Sequence, residues 1–132
     1  MTRVGTKVRC FDNTGVIAVN IFKKFGGGMV VNKASYADMV YVSVVGLNTK
    51  AKNLQEEKQR IRFRKGSIHK AVIIHMAERF KRYDSTSIWF KKDAVVLVDS
   101  KGMPLGRKIK TIIPKEVADI YPQIASVALR VI

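Results

Sequence analysis

The stretch Val8-Arg9-Cys10-Phe11-Asp12-Asn13-Thr14-Gly15, continuing into Val16-Ile17-Ala18-Val19-Asn20-Ile21-Phe22, decides the fold class. Val8, Cys10 and Phe11 lead into a tetrapeptide whose Asp, Asn and Gly suit the special backbone angles of a tight turn. The β-branched run Val16 to Phe22 then reads as a returning strand, so the two segments make a hairpin. Further on, short apolar runs separated by turn residues keep favouring strands. Met39 to Val45 is nearly all apolar and is expected to be buried on both faces or closed into a barrel. His69 to Met76 holds a core strand at Ala71-Val72-Ile73-Ile74, and Ile88 to Phe90 and Ala94 to Val98 give two more segments. Phe63 and Trp89 fall within apolar alternation and are expected in the core, whereas Tyr83 is expected to be exposed.

Gly26-Gly27-Gly28 interrupts one stretch, and residues 47 to 60 are polar, a loop or insertion with one helical turn. Asp99-Ser100-Lys101-Gly102 reads as a turn. Pro114 suits the first turn of a helix through Ile120, and Pro122 ends or resets that helix before a second one over Ile124 to Leu129. Six or seven strands followed by one or two short C-terminal helices make the chain mainly β, a small closed barrel with a helical tail, with residues 1–132 as one domain.

The chain has 132 residues, 25 of them Lys or Arg against 10 Asp or Glu, for a net charge of +15. With 47% apolar residues it has ample material for one core, so the charge is not that of a disordered basic tail. A pI near 10.3 points to a polyanion, and nucleic acid is the commonest one. No apolar run approaches the roughly 18 residues that span a bilayer, and no basic amphipathic helix suggests a membrane surface. The single cysteine, Cys10, cannot form an internal disulfide. No signal peptide is expected. Arg3, Lys7 and Arg9 without a nearby acid suit either a short import signal or, as preferred here, a strand with exposed basic residues.

Catalytic patterns are weak. Asp12-Asn13-Thr14-Gly15 differs from the Asp-Thr-Gly of aspartic proteases by an inserted Asn, and no second such element exists to share a proton. His69 and His75 would share a strand face at roughly 20 Å, too far apart for one metal ion. The glycine triplet, with Lys23 and Lys24 before it, lacks the Gly-Lys-Ser/Thr ending of a P-loop. No catalytic residue, metal or cofactor is assigned, and no small-molecule substrate.

The basic residues carry more information. Lys50 to Lys92 holds 13 basic and 4 acidic residues, a net +9 in 43 positions. Within it Arg60-Ile61-Arg62-Phe63-Arg64 alternates strictly, so its arginines share one strand face, followed by Lys65 and Lys70. Such a row can neutralise successive phosphates, and guanidinium grips phosphate with two hydrogen bonds. Arg79, Lys81 and Arg82 add to it, as do Lys91 and Lys92, while Lys23 and Lys24 precede the glycines. The plain reading is a strand edge guarded by charge against aggregation. Without a helix-turn-helix, zinc-finger spacing or RNP-type sequence, the pattern favours backbone and shape recognition of folded RNA.

From Val8 onward the order of elements resembles the universal large-subunit ribosomal protein fourteen family. Val8 to Gly15 is similar to that family's opening strand and Asp-Asn-Ser/Thr-Gly turn, and Arg62-Phe63-Arg64-Lys65-Gly66 to its basic hairpin arm. Ala71-Val72-Ile73-Ile74, Asp84-Ser85, Phe90, Asp93 and Val96-Leu97 follow its signature spacing. Ser85 stands where Gly is usual and Asp93 where Asn or Thr is usual. Pro104-Leu105-Gly106-Arg107-Lys108-Ile109 resembles a family turn with Arg107 in place of Thr. Asn48 to Gln59 is longer than usual, and a glycine is missing before Asp38.

The resemblance implies a five-stranded barrel with a basic hairpin extension. It also implies a structural role in the large ribosomal subunit, binding its rRNA beside neighbouring large-subunit proteins. By the same resemblance Arg62, Arg64, Lys65 and Lys70 anchor RNA. Arg107, Lys108 and Lys110 face small-subunit rRNA at an intersubunit bridge, where subunit-joining inhibitors dock in the family. The run Ile109 to Pro114 and the ending Leu129 to Ile132 resemble mitochondrial members more than bacterial or cytosolic ones, which makes a mitochondrial ribosome the expected location ahead of a cytosolic or plastid one. The competing expectation is a free barrel-type factor acting in RNA processing, which needs exposed stacking aromatics and would associate substoichiometrically. A small hydrolase is the remotest.

Overall fold

A computed structural model of the chain describes residues 2–25, 33–47 and 63–132. The glycine triplet, the insertion after residue 47, Arg60 and Arg62 lie outside the described residues. The elements are β1 (Thr2–Arg3), β2 (Lys7–Cys10), β3 (Val16–Lys24), β4 (Lys33–Ala34), β5 (Met39–Leu47) and β6 (Ile68–His75). They continue with β7 (Phe80–Lys81), β8 (Ser87–Ile88), β9 (Ala94–Val98), β10 (Ile112–Ile113), α1 (Lys115–Ile120), α2 (Pro122–Val127) and β11 (Arg130–Val131).

Five strands close a barrel in the order β2-β3-β5-β6-β9. All neighbours are antiparallel except β2 and β9, which seal it in parallel through Arg9 opposite Ala94 and Cys10 opposite Val95. Closing so few strands demands strong curvature. The register shifts along β3 near Val16, Ala18 and Ile21, and along β6 between Ile73 and His75, supply it. The β6 shift also breaks the simple alternation that put His69 and His75 on one face.

Val8, Val19, Ile21, Val40, Val42 and Val44 fill the interior from strands that alternate buried and accessible positions. β9 is buried at all five residues and β6 from Ala71 onward, so both of their faces are covered. The C-terminal segment lies against them. Leu105 N–H donates to the Leu97 carbonyl at 3.0 Å, and Ile109, Ile113, Val117 and Ile124 join the buried cluster. Pro114 sits at the N-cap of α1 rather than inside its first turn. Tyr121 ends α1 and precedes Pro122, the first residue of α2, so that proline does reset the helix. A two-residue parallel ladder of β10 with β11 returns the chain end beside the helices, a pairing too short for any sequence pattern.

Arg82 braces this tail. Its Nε and Nη2 donate to the two carboxylate oxygens of Glu116 at 2.6 and 3.0 Å, and Nη2 also reaches the Ile132 main-chain oxygen at 2.8 Å. Burial pulls the Glu116 carboxyl upward, but Arg82's hydrogen bonds and charge outweigh it and hold the carboxyl below its ordinary value.

Among the described residues two that are not glycine adopt left-handed backbone, Ala37 at φ 65° and Ser85 at φ 71°. These are the two positions where the family resemblance calls for glycine. Left-handed backbone costs an L-residue roughly 1–2 kcal/mol. Ser85 is exposed and gives up no packing on truncation, so Ser85→Gly is expected to raise unfolding free energy by about 0.5–1 kcal/mol after glycine's greater unfolded-state entropy is deducted. Ala37→Gly, which removes a buried methyl, should be nearly neutral; urea denaturation measures both.

Asp12 is the polar group in the barrel seam. Its Oδ1 accepts from Thr14 N–H at 3.2 Å and from the Thr14 hydroxyl at 2.5 Å, and its Oδ2 accepts from Leu97 N–H at 3.2 Å. Asp12→Ala strands these buried donors and should cost about 3 kcal/mol in the same assay, by the usual cost of lost charged hydrogen bonds. For Glu116, whose folded carboxyl is held low, the stability from Arg82 is present above the ordinary value of 4.5 and is lost as pH falls through the lowered value. Glu116→Gln should therefore flatten the melting-temperature profile across the carboxylate range.

Candidate nucleic-acid interface

The Asp-Asn-Thr-Gly turn builds the first site by holding a second turn against itself. Asn13 Oδ1 accepts from the backbone N–H of Arg107 at 2.8 Å and of Lys108 at 3.4 Å, and Lys110 N–H donates to the Phe11 carbonyl at 3.0 Å. Gly106 is needed at this contact, because a Cβ there would lie 2.7 Å from Asn13 Oδ1. The backbone of 106 to 110 is thus pinned while Arg107, Lys108 and Lys110 stand exposed. Sequence spacing put these three together, and the structure does so too.

At the entry to β6, Ser67 closes the turn from Arg64. Its hydroxyl donates to the Arg64 carbonyl at 2.6 Å, and Gly66 N–H donates to Val44 O at 2.8 Å. Phe63 is buried against the His69 ring, centroids 4.8 Å apart, as its alternation predicts, and Arg64 and Lys65 project into solvent. Lys23, Tyr41 and Lys70 form one row across β3, β5 and β6 by register. Lys70 Nζ lies 4.9 Å from the Phe25 ring centroid and 5.8 Å from that of Tyr41. Lys24, in contrast, is paired with Asp38 at 3.2 Å, and that carboxylate also accepts from Ser35 N–H at 2.7 Å.

The hairpin of β7 and β8 carries the remaining predicted cations. Arg79 and Lys81 are exposed; Arg82 is committed to Glu116 and Ile132. Tyr83 is fully exposed, as expected, but Trp89 is 57% exposed and not in the core. Two-residue periodicity explains the correction: Ile88 turns inward, Phe90 stacks on His75 with centroids 3.8 Å apart, and Trp89 between them points out.

A fourth grouping escaped sequence reasoning. Lys7 and Arg9, at the outward positions of β2, face Lys91 and Lys92 across an open groove also lined by Phe11 and Ile17. Alternation in β2 exposes its two cations, but only the parallel seam with β9 brings Lys91 and Lys92 beside them.

Groups suited to catalysis are otherwise occupied. Burial pushes the Cys10 thiol well up, and the charge of Asp12 pushes it further, so it stays protonated. Burial lowers the pKa of His75 despite the bond from its Nε2 to the Ile112 carbonyl at 2.8 Å, and burial lowers that of His69 as well. Among the described residues no three His, Cys, Asp or Glu gather as metal ligands, and no helix is long and apolar enough to cross a membrane.

The ribosomal protein L14p/L23e family model matches residues 1–132. The large ribosomal subunit protein uL14 of Methanospirillum hungatei is 30% identical over 124 residues, covering 94% of this chain and 86% of that protein. The uL14 of Methanoregula boonei matches with the same identity and coverage. Both relatives are archaeal and lend no support to a mitochondrial origin. A five-strand barrel sealed at an Asp-Asn-Thr-Gly turn, matched along its whole length, makes this chain a member of the ribosomal protein L14p/L23e family of structural large-subunit proteins.

Proposed function

We propose that the protein is held on large-subunit rRNA by Arg64, Lys65, Lys70, Lys23, Arg79 and Lys81, and that it reaches small-subunit rRNA through Arg107, Lys108 and Lys110. Arg60 and Arg62 belong to the anchoring set by their sequence pattern. The observation that carries this reading is the pair of braced turns, at 64–67 and 106–110, whose backbones are pinned while their cations stay free for phosphate. Fixed backbone lowers the ordering cost of each contact, and each neutralised phosphate releases counterions. Lys24 and Arg82 already have carboxylate partners, so we assign them to bracing first. Neighbouring large-subunit proteins are the remaining partners, and a mitochondrial ribosome is not part of the proposal.

The test is co-sedimentation with purified large subunits. One copy per subunit, retained in moderate salt, is expected; substoichiometric, ribonuclease-sensitive association would instead favour a free RNA-processing factor. Arg64→Glu with Lys65→Glu should reduce incorporation into large subunits. Arg107→Glu with Lys108→Glu should spare incorporation and reduce joining to small subunits; equal defects in both steps would contradict the division of faces. With about six phosphates neutralised, RNA affinity should fall with salt at a log-log slope on the order of −4 to −5.

A further inference from the structure

Trp89 is the chain's one tryptophan, and more than half of its surface is in solvent. Single exposed apolar residues are ordinary on protein surfaces. This one has a cation on its ring and more beside it. The Arg79 guanidinium carbon lies 5.3 Å from the indole centroid, and the β7–β8 register, with Phe80 opposite Ile88 and Lys81 opposite Ser87, makes Arg79 and Trp89 the next cross-strand pair. Phe80 and Ile88 face inward, Phe80 meeting Tyr36 edge-on at 5.5 Å, so Arg79, Lys81 and Trp89 share the outer face. Tyr83, fully exposed, stands at the tip, where Arg82 N–H bonds to Thr86 O at 2.8 Å and Ser85 N–H to Arg82 O at 3.2 Å. From Ala77 to Lys92 the segment has five basic residues against two acidic ones, and the Asp84 carboxylate is occupied by the Thr86 N–H and hydroxyl.

A π-surface among cations matches one partner chemistry. Bases offer faces for stacking and the strand between them offers phosphates, whereas duplex RNA hides its bases and presents phosphate alone. We propose that the outer face of this hairpin is a stacking platform for an unpaired RNA base. Trp89 takes the base, and Arg79 and Lys81 bind its flanking phosphates. Tyr83 offers a second ring at the tip. The proposal rests on the rRNA-binding reading and adds to it that part of the bound RNA is single-stranded.

Titration of the full chain with a short single-stranded RNA, and with a duplex carrying the same number of phosphates, tests it through Trp89 emission. Saturable quenching by the single strand, several-fold greater than by the duplex, is expected. Trp89→Ala should weaken binding of dye-labelled single-stranded RNA about tenfold, the effect of losing one stacked base, and Trp89→Phe should restore most of it. In purified large subunits, ultraviolet cross-linking should place a nucleotide on the tryptic peptide Tyr83 to Lys91. Equal quenching by both RNAs, an unaltered affinity in Trp89→Ala, or cross-links from that peptide to protein and none to RNA would overturn the platform. Absence of the protein from large subunits would overturn the ribosomal role instead, and the oligonucleotide titration would still decide the platform.

Discussion

Everything placed on this surface depends on the parallel seam between β2 and β9. A five-strand sheet of this size leaves two edges unless its first and last strands meet, and unpaired edges expose backbone groups to water or to other chains. Here two registered residue pairs do the sealing. The seam runs further because Phe11 N–H still finds Val95 O at 3.3 Å, after which the side chain of Asp12 takes over from the backbone and accepts from Leu97 N–H. A carboxylate thus stands in for a ladder carbonyl where the chain must leave the sheet and turn. Burial raises the Asp12 carboxyl above its ordinary value, and bonds from Thr14, Cys10 and Leu97 recover only part of that cost. What the carboxylate gives in return is an acceptor for the Thr14 N–H and hydroxyl and for the Leu97 N–H at a buried turn.

The seam also distributes function. Asn13, the residue after the keystone, collects the backbone of Arg107 and Lys108, so one tetrapeptide closes the barrel on one side and aims a basic turn on the other. Parallel pairing brings the start of β9 next to β2, which sets Lys91 and Lys92 across a groove from Lys7 and Arg9. Shape and charge therefore share a cause: the constraint that removes the sheet edges is the one that gathers cations from distant parts of the chain.

How much of this could be read in advance follows the range of the interactions. The first hairpin, the strands at β5, β6 and β9, the Asp99 turn and the helix reset at Pro122 all come from local patterns, and each appears where the pattern puts it. Alternation alone does not say which of its two sets faces inward: the β7–β8 register turns Ile88 to the core and leaves Trp89, expected inside, in solvent. Lys24 and Arg82 looked like free cations because their partners, Asp38 and Glu116, lie 14 and 34 residues away and nothing local marks them. The groove of Lys7, Arg9, Lys91 and Lys92 needed the parallel seam, which no short-range signal encodes. Ala37 and Ser85 go the other way: the positions where the family resemblance misses a glycine are those where, among the described residues, a non-glycine residue has positive φ.

The imbalance of charge completes the connection between fold and partner. The two ion pairs formed between described residues both brace structure, one at the turn before β5 and one beneath the C-terminal helices. Each holds partly buried groups that fix an element in place. The exposed cations at Arg64, Lys65, Arg79, Lys81, Arg107, Lys108 and Lys110 have no such pairing among the described residues, so they add to the mutual repulsion of a chain whose net charge is +15. Salt then acts with opposite signs on the two states. It screens that repulsion and so steadies the free protein, while it weakens attachment to a polyanion by removing the gain from released counterions. A surface organised this way gives up stability in isolation for affinity in a complex.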